Sequence, residues 1–234
     1  MNSREYEISE NIKKVKERIN IACEKAGRSI DEISLVCVTK NFPASDIEYA
    51  INCGIDIAGE NRVQELLGKY DQVFPKQWHL IGHLQKNKVK YIAGKVELIH
   101  SVDSIELLNE IQKQAKKADA VQKILIQVNT SGEESKFGCA PEETDSLLKV
   151  ASVLENVKVK GIMTIAPIYV NNVTPRLHFD NTRKLYIDIK ANKYDNIDMD
   201  ILSMGMSSDF EDAILAGANM IRVGSAIFGK RNYQ

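Results

Sequence analysis

Cysteine is scarce in this chain and widely scattered: Cys23, Cys37, Cys53 and Cys139, with no pair at C-x-x-C spacing. That pattern speaks against a structural zinc site and a secreted disulfide framework, and leaves buried free thiols in a reducing cytoplasm as the plain reading. Net charge is nearly absent as well. A formal charge of -1 gives the surface no general attraction for nucleic acid or anionic membrane. No apolar run approaches the roughly 18 residues that a membrane-crossing helix needs. The N-terminus, MNSREYEISENIKKVKERI, is polar and charged, without the apolar centre of a signal peptide or an anchor. Missing too is a G-x-G-x-x-G turn after the first strand, the phosphate fingerprint of open doubly wound sheets.

What remains is ordinary globular material: 234 residues, 44% hydrophobic and 27% charged. That length holds one large domain with a substantial core, close to the size of a single α/β barrel. Residues 5–26 repeat at helical spacing, with Ile8, Ile12, Val15, Ile19, Ala22 and Cys23 on one stripe and Gly27 as the stop. Residues 33–40, ISLVCVTK, form a short apolar run without alternation, as expected of a strand covered on both faces in a parallel sheet. The alternation then continues. Strands are predicted at 55–60, 78–82, 97–102, 123–129, 157–165, 201–204 and 220–223. Helices are predicted at 44–53, 61–73, 84–93, 104–118, from Pro141, at about 174–193, at 209–216 and at 226–228. Ser104 is a natural N-cap, Pro141 sits at a favoured first helical position, and a longer proline-bearing loop follows the sixth strand. Strict alternation with no linker or second composition zone predicts a (β/α)8 barrel with an additional N-terminal helix, one domain over 1–234. A doubly wound sheet is the alternative.

In such a barrel the carboxyl ends of the strands converge on one mouth. There the chain places Lys40, then Glu60-Asn61-Arg62, Gly82-His83, Ser101 and Asp103, Asn129, and Met163-Thr164. The last two strands end in SMGMSSD and RVGSAIFG. Loops after strands seven and eight form the commonest phosphate site of this fold. Gly205 and Gly224 allow main-chain N–H groups to approach an anion, Ser207 and Ser225 add hydroxyls, and a helix beginning near Ser225 adds its dipole. A lysine opposite a phosphate cradle suits a ligand with an aldehyde at one end and a phosphate at the other, and pyridoxal 5'-phosphate fits both ends. The amine would form an imine, helped by partial desolvation and by Arg62 or Arg222 lowering its pKa. Arg222, two residues before Gly224, could reach the ring nitrogen and hold it unprotonated. Each residue also has a plainer reading: Lys40 as a strand exit, the glycines as tight turns, Arg222 in an outer salt bridge.

Other residues read as structural. His79 and His83 straddle a strand end, which separates them as metal ligands. Lys86, Lys88 and Lys90 suit a solvated helix face, and Trp78 suits core or rim packing.

The motifs together resemble one family. VTK at 38–40, GENRVQE at 59–65, WHLIGHLQKNK at 78–88 and HSVDS at 100–104 all match it. So do QVNTSGEESKFG at 127–138, GIMTI at 161–165 and LSMGMSSDFEDAILAGANMIRVGSAIFG at 202–229. These are marks of the pyridoxal phosphate homeostasis proteins, fold-type III TIM barrels similar to the N-terminal domain of alanine racemase. Thr39 stands where a serine is common and Ala58 where an aromatic is common. The resemblance implies that Lys40 carries the cofactor as a Schiff base, with Ser207, Gly224 and Ser225 at the phosphate and Arg222 at the ring nitrogen. It implies Asn61 and Met204 as further pocket residues, no metal, and no established turnover. It also implies a part in vitamin B6 and amino-acid balance, with transient contact to apoenzymes that use the cofactor. The expectation is a cytoplasmic monomer.

Two alternatives stand beside this carrier. A racemase of the alanine type needs bases on both faces of the cofactor, the second from a partner's additional domain, which this chain is expected to lack. A phosphosugar-handling barrel enzyme would show no cofactor absorbance.

Overall fold

Strand β1 (Ser34–Val38) is where the sheet begins and where it closes. It runs parallel to β2 (Ile57–Glu60) on one side and to β8 (Met220–Val223) on the other, with Val36 opposite Ile57 and Cys37 opposite Val223. Between them stand β3 (Gln77–Leu80), β4 (Leu98–Val102), β5 (Gln122–Gln127), β6 (Val157–Met163) and β7 (Ile197–Ser203), completing a closed parallel barrel in sequence order. This is a computed structural model, which describes residues 2–133, 136–167, 174–192 and 194–229.

Alternation along each strand explains why the apolar runs do not alternate in polarity: both faces are buried. Inward, Val36, Val38, Ile81, Leu98, Leu125, Met163 and Met220 fill the barrel. Outward, residues such as Cys37, Ala58, Ile99, Ile124, Ile126 and Ile162 pack beneath the surrounding helices. β6 departs from regularity at Gly161, where the ladders to both β5 and β7 shift register.

Helix α1 (Ser3–Ala26) buries the six stripe residues predicted for it. Asn2 caps it through a reciprocal box with Glu5, and Gly27 ends it in the left-handed conformation at φ 64°. α2 (Ala44–Asn52) and α3 (Val63–Tyr70) follow β1 and β2. α4 (Ile105–Lys117) is capped by Ser104, whose hydroxyl accepts the Leu107 N–H. α5 (Thr144–Ser152) follows a single 3-10 turn at Pro141–Glu143, so the proline opens that turn rather than the helix itself. α6 (Pro175–Ala191), α7 (Phe210–Leu215) and α8 (Ser225–Phe228) complete the ring. α1 lies across α2, α7 and α8.

Two expectations are corrected. The segment expected as a helix over 84–93 is a 3-10 turn at Lys86–Tyr91. Lys86 and Lys90 would repel one α-helical turn apart, and Asn87 and Val89 are weak helix formers. β7 starts at Ile197, four residues before the expected 201. Among its added residues Met199 packs beneath the helices, while Asp198 and Asp200 lie on the opposite face and pair with Lys158 and Lys160 of β6. The loop after β6 at 168–173, and the predicted helix end at Lys193, lie outside the described residues. Among the described residues, no helix is long and apolar enough to cross a membrane, and all four cysteines are free.

Candidate functional site

Lys40 leaves β1 in a tight turn that is held from both ends. The Phe42 N–H donates to the Thr39 carbonyl at 3.2 Å, and Asn41 between them takes a positive φ of 66°. Lys69 of α3 donates to that same Thr39 carbonyl at 2.9 Å. Its ammonium also bridges Glu60 at 2.7 Å and Glu65 at 2.8 Å. Glu65 in turn accepts the Asn41 N–H, and the Thr39 hydroxyl donates to Glu60 Oε1 at 2.6 Å. The residues on either side of Lys40 are thus tied to one buried cluster behind the barrel wall. Glu60 is fully buried and its Oε2 has no partner among the described residues. Burial pushes its carboxyl pKa up, against the opposing pull of Lys69 and Thr39.

Arg222 points into the barrel from β8. It is not the outer salt bridge of the plainer reading: it is buried, and it donates to the Ser203 hydroxyl at 2.7 Å and to the Thr164 carbonyl at 2.8 Å. Desolvation lowers its pKa to about 10, which still leaves it charged near neutrality. Beyond Ser203 the contacts continue. Ser203 Oγ lies 3.2 Å from His100 Nδ1, His100 Nε2 lies 3.0 Å from His79 Nδ1, and His79 Nε2 lies 3.1 Å from Gln77 Oε1. A guanidinium only donates and the Gln77 amide oxygen at the far end only accepts, so with both imidazoles neutral the chain runs from the first to the second. Ser203 accepts from Arg222 and gives its own proton to His100 Nδ1. His100 donates through Nε2 to His79, and His79 donates through Nε2 to Gln77. Burial holds both imidazoles neutral: His79 falls to about 3, and His100 falls well below the usual histidine range, helped by the Arg222 charge.

The residues expected to form a phosphate cradle meet at the exits of β7 and β8. The Ser207 hydroxyl accepts the N–H groups of Gly224 at 3.2 Å and Ala226 at 3.3 Å, so two main-chain donors converge on one oxygen. Gly224 is there for close approach, since an added Cβ would lie 3.1 Å from both the Cβ and the carbonyl oxygen of Val38. Val38 is two residues before Lys40. Ser225 is exposed at the start of α8.

The remaining predicted residues divide. Asn61 is half-buried at the exit of β2, with Gly82 of the β3 exit against its main chain. Met204 is fully buried in the core between barrel and helices, so what it offers the mouth is main chain. Arg62 is exposed. His83 stacks on Phe137, with ring centres 4.0 Å apart, and is remote in role from His79. Sequence reasoning missed the His100 to His79 chain and the Lys69 cluster. Its one available signal was that His79, His100, Ser203 and Arg222 all sit at inward positions of their strands.

Comparison with known proteins bears on the family and the fold. A family model described as the alanine racemase N-terminal domain matches residues 8–232. The chain is 46% identical over 226 residues to a pyridoxal phosphate homeostasis protein of Aquifex aeolicus, covering 96% of this chain and 98% of that one. It is 38% identical over 228 residues to a protein of the same name from Pseudomonas aeruginosa, covering 97% and 96%. Among solved structures, PipY of Synechococcus elongatus with PLP bound is 30% identical, with a TM-score of 0.83 over 95% of this chain and 100% of that chain. Alanine racemase of Clostridium difficile shares the fold alone, at 15% identity and a TM-score of 0.76, and this chain covers 57% of it.

Proposed function

The chain belongs to the pyridoxal phosphate homeostasis proteins, within the alanine racemase N-terminal-domain family, and from that membership we propose that it binds pyridoxal 5'-phosphate and holds it for exchange. The observation that carries this reading is the placement of Gly224 against Val38. Neighbouring strands lie about 4.8 Å apart, so the Lys40 turn and the cradle occupy adjacent strand ends, as one small two-ended ligand requires. The residues present fit the group. Gly224 and Ala226 N–H groups already meet at one oxygen, that of Ser207, which marks where an anionic oxygen would be satisfied.

In this reading Ser207, Gly224 and Ser225 hold the phosphate, Arg222 faces the ring nitrogen, and Asn61 and Met204 border the ring. When bound, the group supplies an aldehyde that condenses reversibly with a lysine amine, here that of Lys40. The Lys69 cluster fixes where that amine stands. Arg222, charged and donor-only, would keep the ring nitrogen in its acceptor state, and the Ser203, His100 and His79 chain holds the guanidinium in place.

We read the role as carriage without turnover, by a cytoplasmic monomer that passes the cofactor to apoenzymes. The name shared by the full-length relatives supports this, as do four free thiols, which suit a reducing compartment. The test is the visible spectrum of the purified protein mixed with pyridoxal 5'-phosphate, before and after borohydride. An absorbance band that borohydride converts to a stable adduct on the Lys40 peptide is expected, with neither band nor adduct in Lys40→Ala. A protein that stays colourless sinks the reading. Steady alanine racemisation, lost in Lys40→Ala, would instead establish an enzyme.

A further inference from the structure

Arg4, Asn11 and Arg18 stand seven residues apart along α1. Two helical turns take about 7.2 residues, so positions at this spacing drift only about 20° and form a line along one face. The line runs beside the buried stripe, and each member ends on a main-chain oxygen of the cradle. Arg4 donates to the Phe228 carbonyl at 3.0 Å, Asn11 to the Ile227 carbonyl at 2.9 Å, and Arg18 to the Ser207 carbonyl at 3.4 Å. Two of the three are themselves anchored. Arg4 pairs with Asp46 at 2.6 Å, whose side chain is buried, and Arg18 pairs with Glu211 at 2.6 Å while lying 4.4 Å over the Phe210 ring.

α8 needs such support. It has four residues, and a single turn does not repay the cost of its own nucleation. Its terminal carbonyls lack partners within the helix. Two of them, at Ile227 and Phe228, are taken by α1. The Gly224 and Ala226 N–H groups at the other end, and the Ser207 hydroxyl they share, are therefore braced by α1.

We propose that Arg4, Asn11 and Arg18 are positioning residues for the phosphate cradle, and that through them α1 sets the preference of the site for a phosphorylated over an unphosphorylated aldehyde. This rests on the cofactor reading above. Asn11 is the member to test, because it is neutral and its removal disturbs no ion pair of the α1 line. Without its donor, the Ile227 carbonyl is left unsatisfied and α8 loosens. The loss is felt by a ligand that uses the cradle and by no other.

The experiment titrates the wild type, Asn11→Ala and Asn11→Gln with pyridoxal 5'-phosphate and, separately, with pyridoxal, reading visible absorbance. Hydrogen exchange at the amides of 226–228 is followed in the unliganded proteins. Asn11→Ala should bind the phosphorylated form about five- to tenfold more weakly, the worth of one half-buried hydrogen bond. Its affinity for pyridoxal should be unchanged and exchange at 226–228 faster, and Asn11→Gln, which keeps a donor, should recover most of the difference. If Asn11→Ala does not fold, the near-isosteric Asn11→Leu carries the same comparison. Equal weakening for both ligands, or none for either, overturns the inference. A wild type indifferent to the phosphate overturns the cradle reading and this inference with it, a failure distinguishable from the first because it appears before any substitution.

Discussion

Removing the Lys69 ammonium would strand Glu60 as a buried carboxyl with only the Thr39 hydroxyl to satisfy it. Breaking one side of a buried ion pair costs about 3–5 kcal/mol. Lys69→Met should therefore lower the urea midpoint strongly, and Glu60→Gln added to it should restore much of the loss, because a neutral amide tolerates burial better than an orphaned acid. The same double-mutant comparison separates the packing of α3 from the charge pair. At this scale the legible part of the candidate site was what strand ends expose. Lys40, Arg222, Gly224, Ser207 and Ser225 each follow an apolar run or lie at its last residues, and parallel topology gathers such positions. Glu60 belonged to the same strand-end list, yet it turns outward beneath Lys40. The histidine chain depends on register. His79 lies opposite Leu98, which puts His100 one inward step further along, and no local pattern states that offset.

Elements were legible where their period was strong. The α1 stripe was, because six apolar positions repeat at helical spacing, and so was β8, which matches its predicted bounds. The 3-10 turn at Lys86–Tyr91 was not, since its repelling lysines still read as polar helix surface. The early start of β7 was not either, because Asp198 and Asp200 look like loop until Lys158 and Lys160 are placed beside them. One element carries a sharp prediction of its own. Gly161 sits inside β6 at φ 147°, where an added Cβ would lie 1.8 Å from the Ile201 carbonyl oxygen. Gly161→Ala must displace β7 or break the ladder there, and should cost roughly 3 kcal/mol or more. A fall in urea midpoint at unchanged slope is the expected measurement. An unchanged midpoint would mean that the irregularity in β6 is not locked.

Across the whole molecule, the two buried imidazoles make folding depend on acidity. His79 has a folded pKa of about 3 against an ordinary 6.5. Between those values the unfolded chain takes up a proton that the folded chain refuses, so stability is full above about pH 6.5 and falls as pH drops below it. His100, shifted the same way, adds to the slope, while Glu60, raised by burial, works against it. Each histidine contributes at most about 1.4 kcal/mol per pH unit. Urea midpoints measured at pH 7.5 and 5.5 should fall towards acid, and more shallowly in His79→Gln than in the wild type.

The brace between α1 and α8 joins residues as far apart in sequence as Arg4 and Phe228. A chain emerging from the ribosome therefore presents its gripping residues long before the carbonyls they grip have been made. The barrel wall can collapse strand by strand, but the corner around Ser207 and Gly224 must wait for both extremes of this span to meet. Vitamer added to a nascent or truncated chain that lacks α8 should accordingly find no stable seat, however complete the earlier strands are.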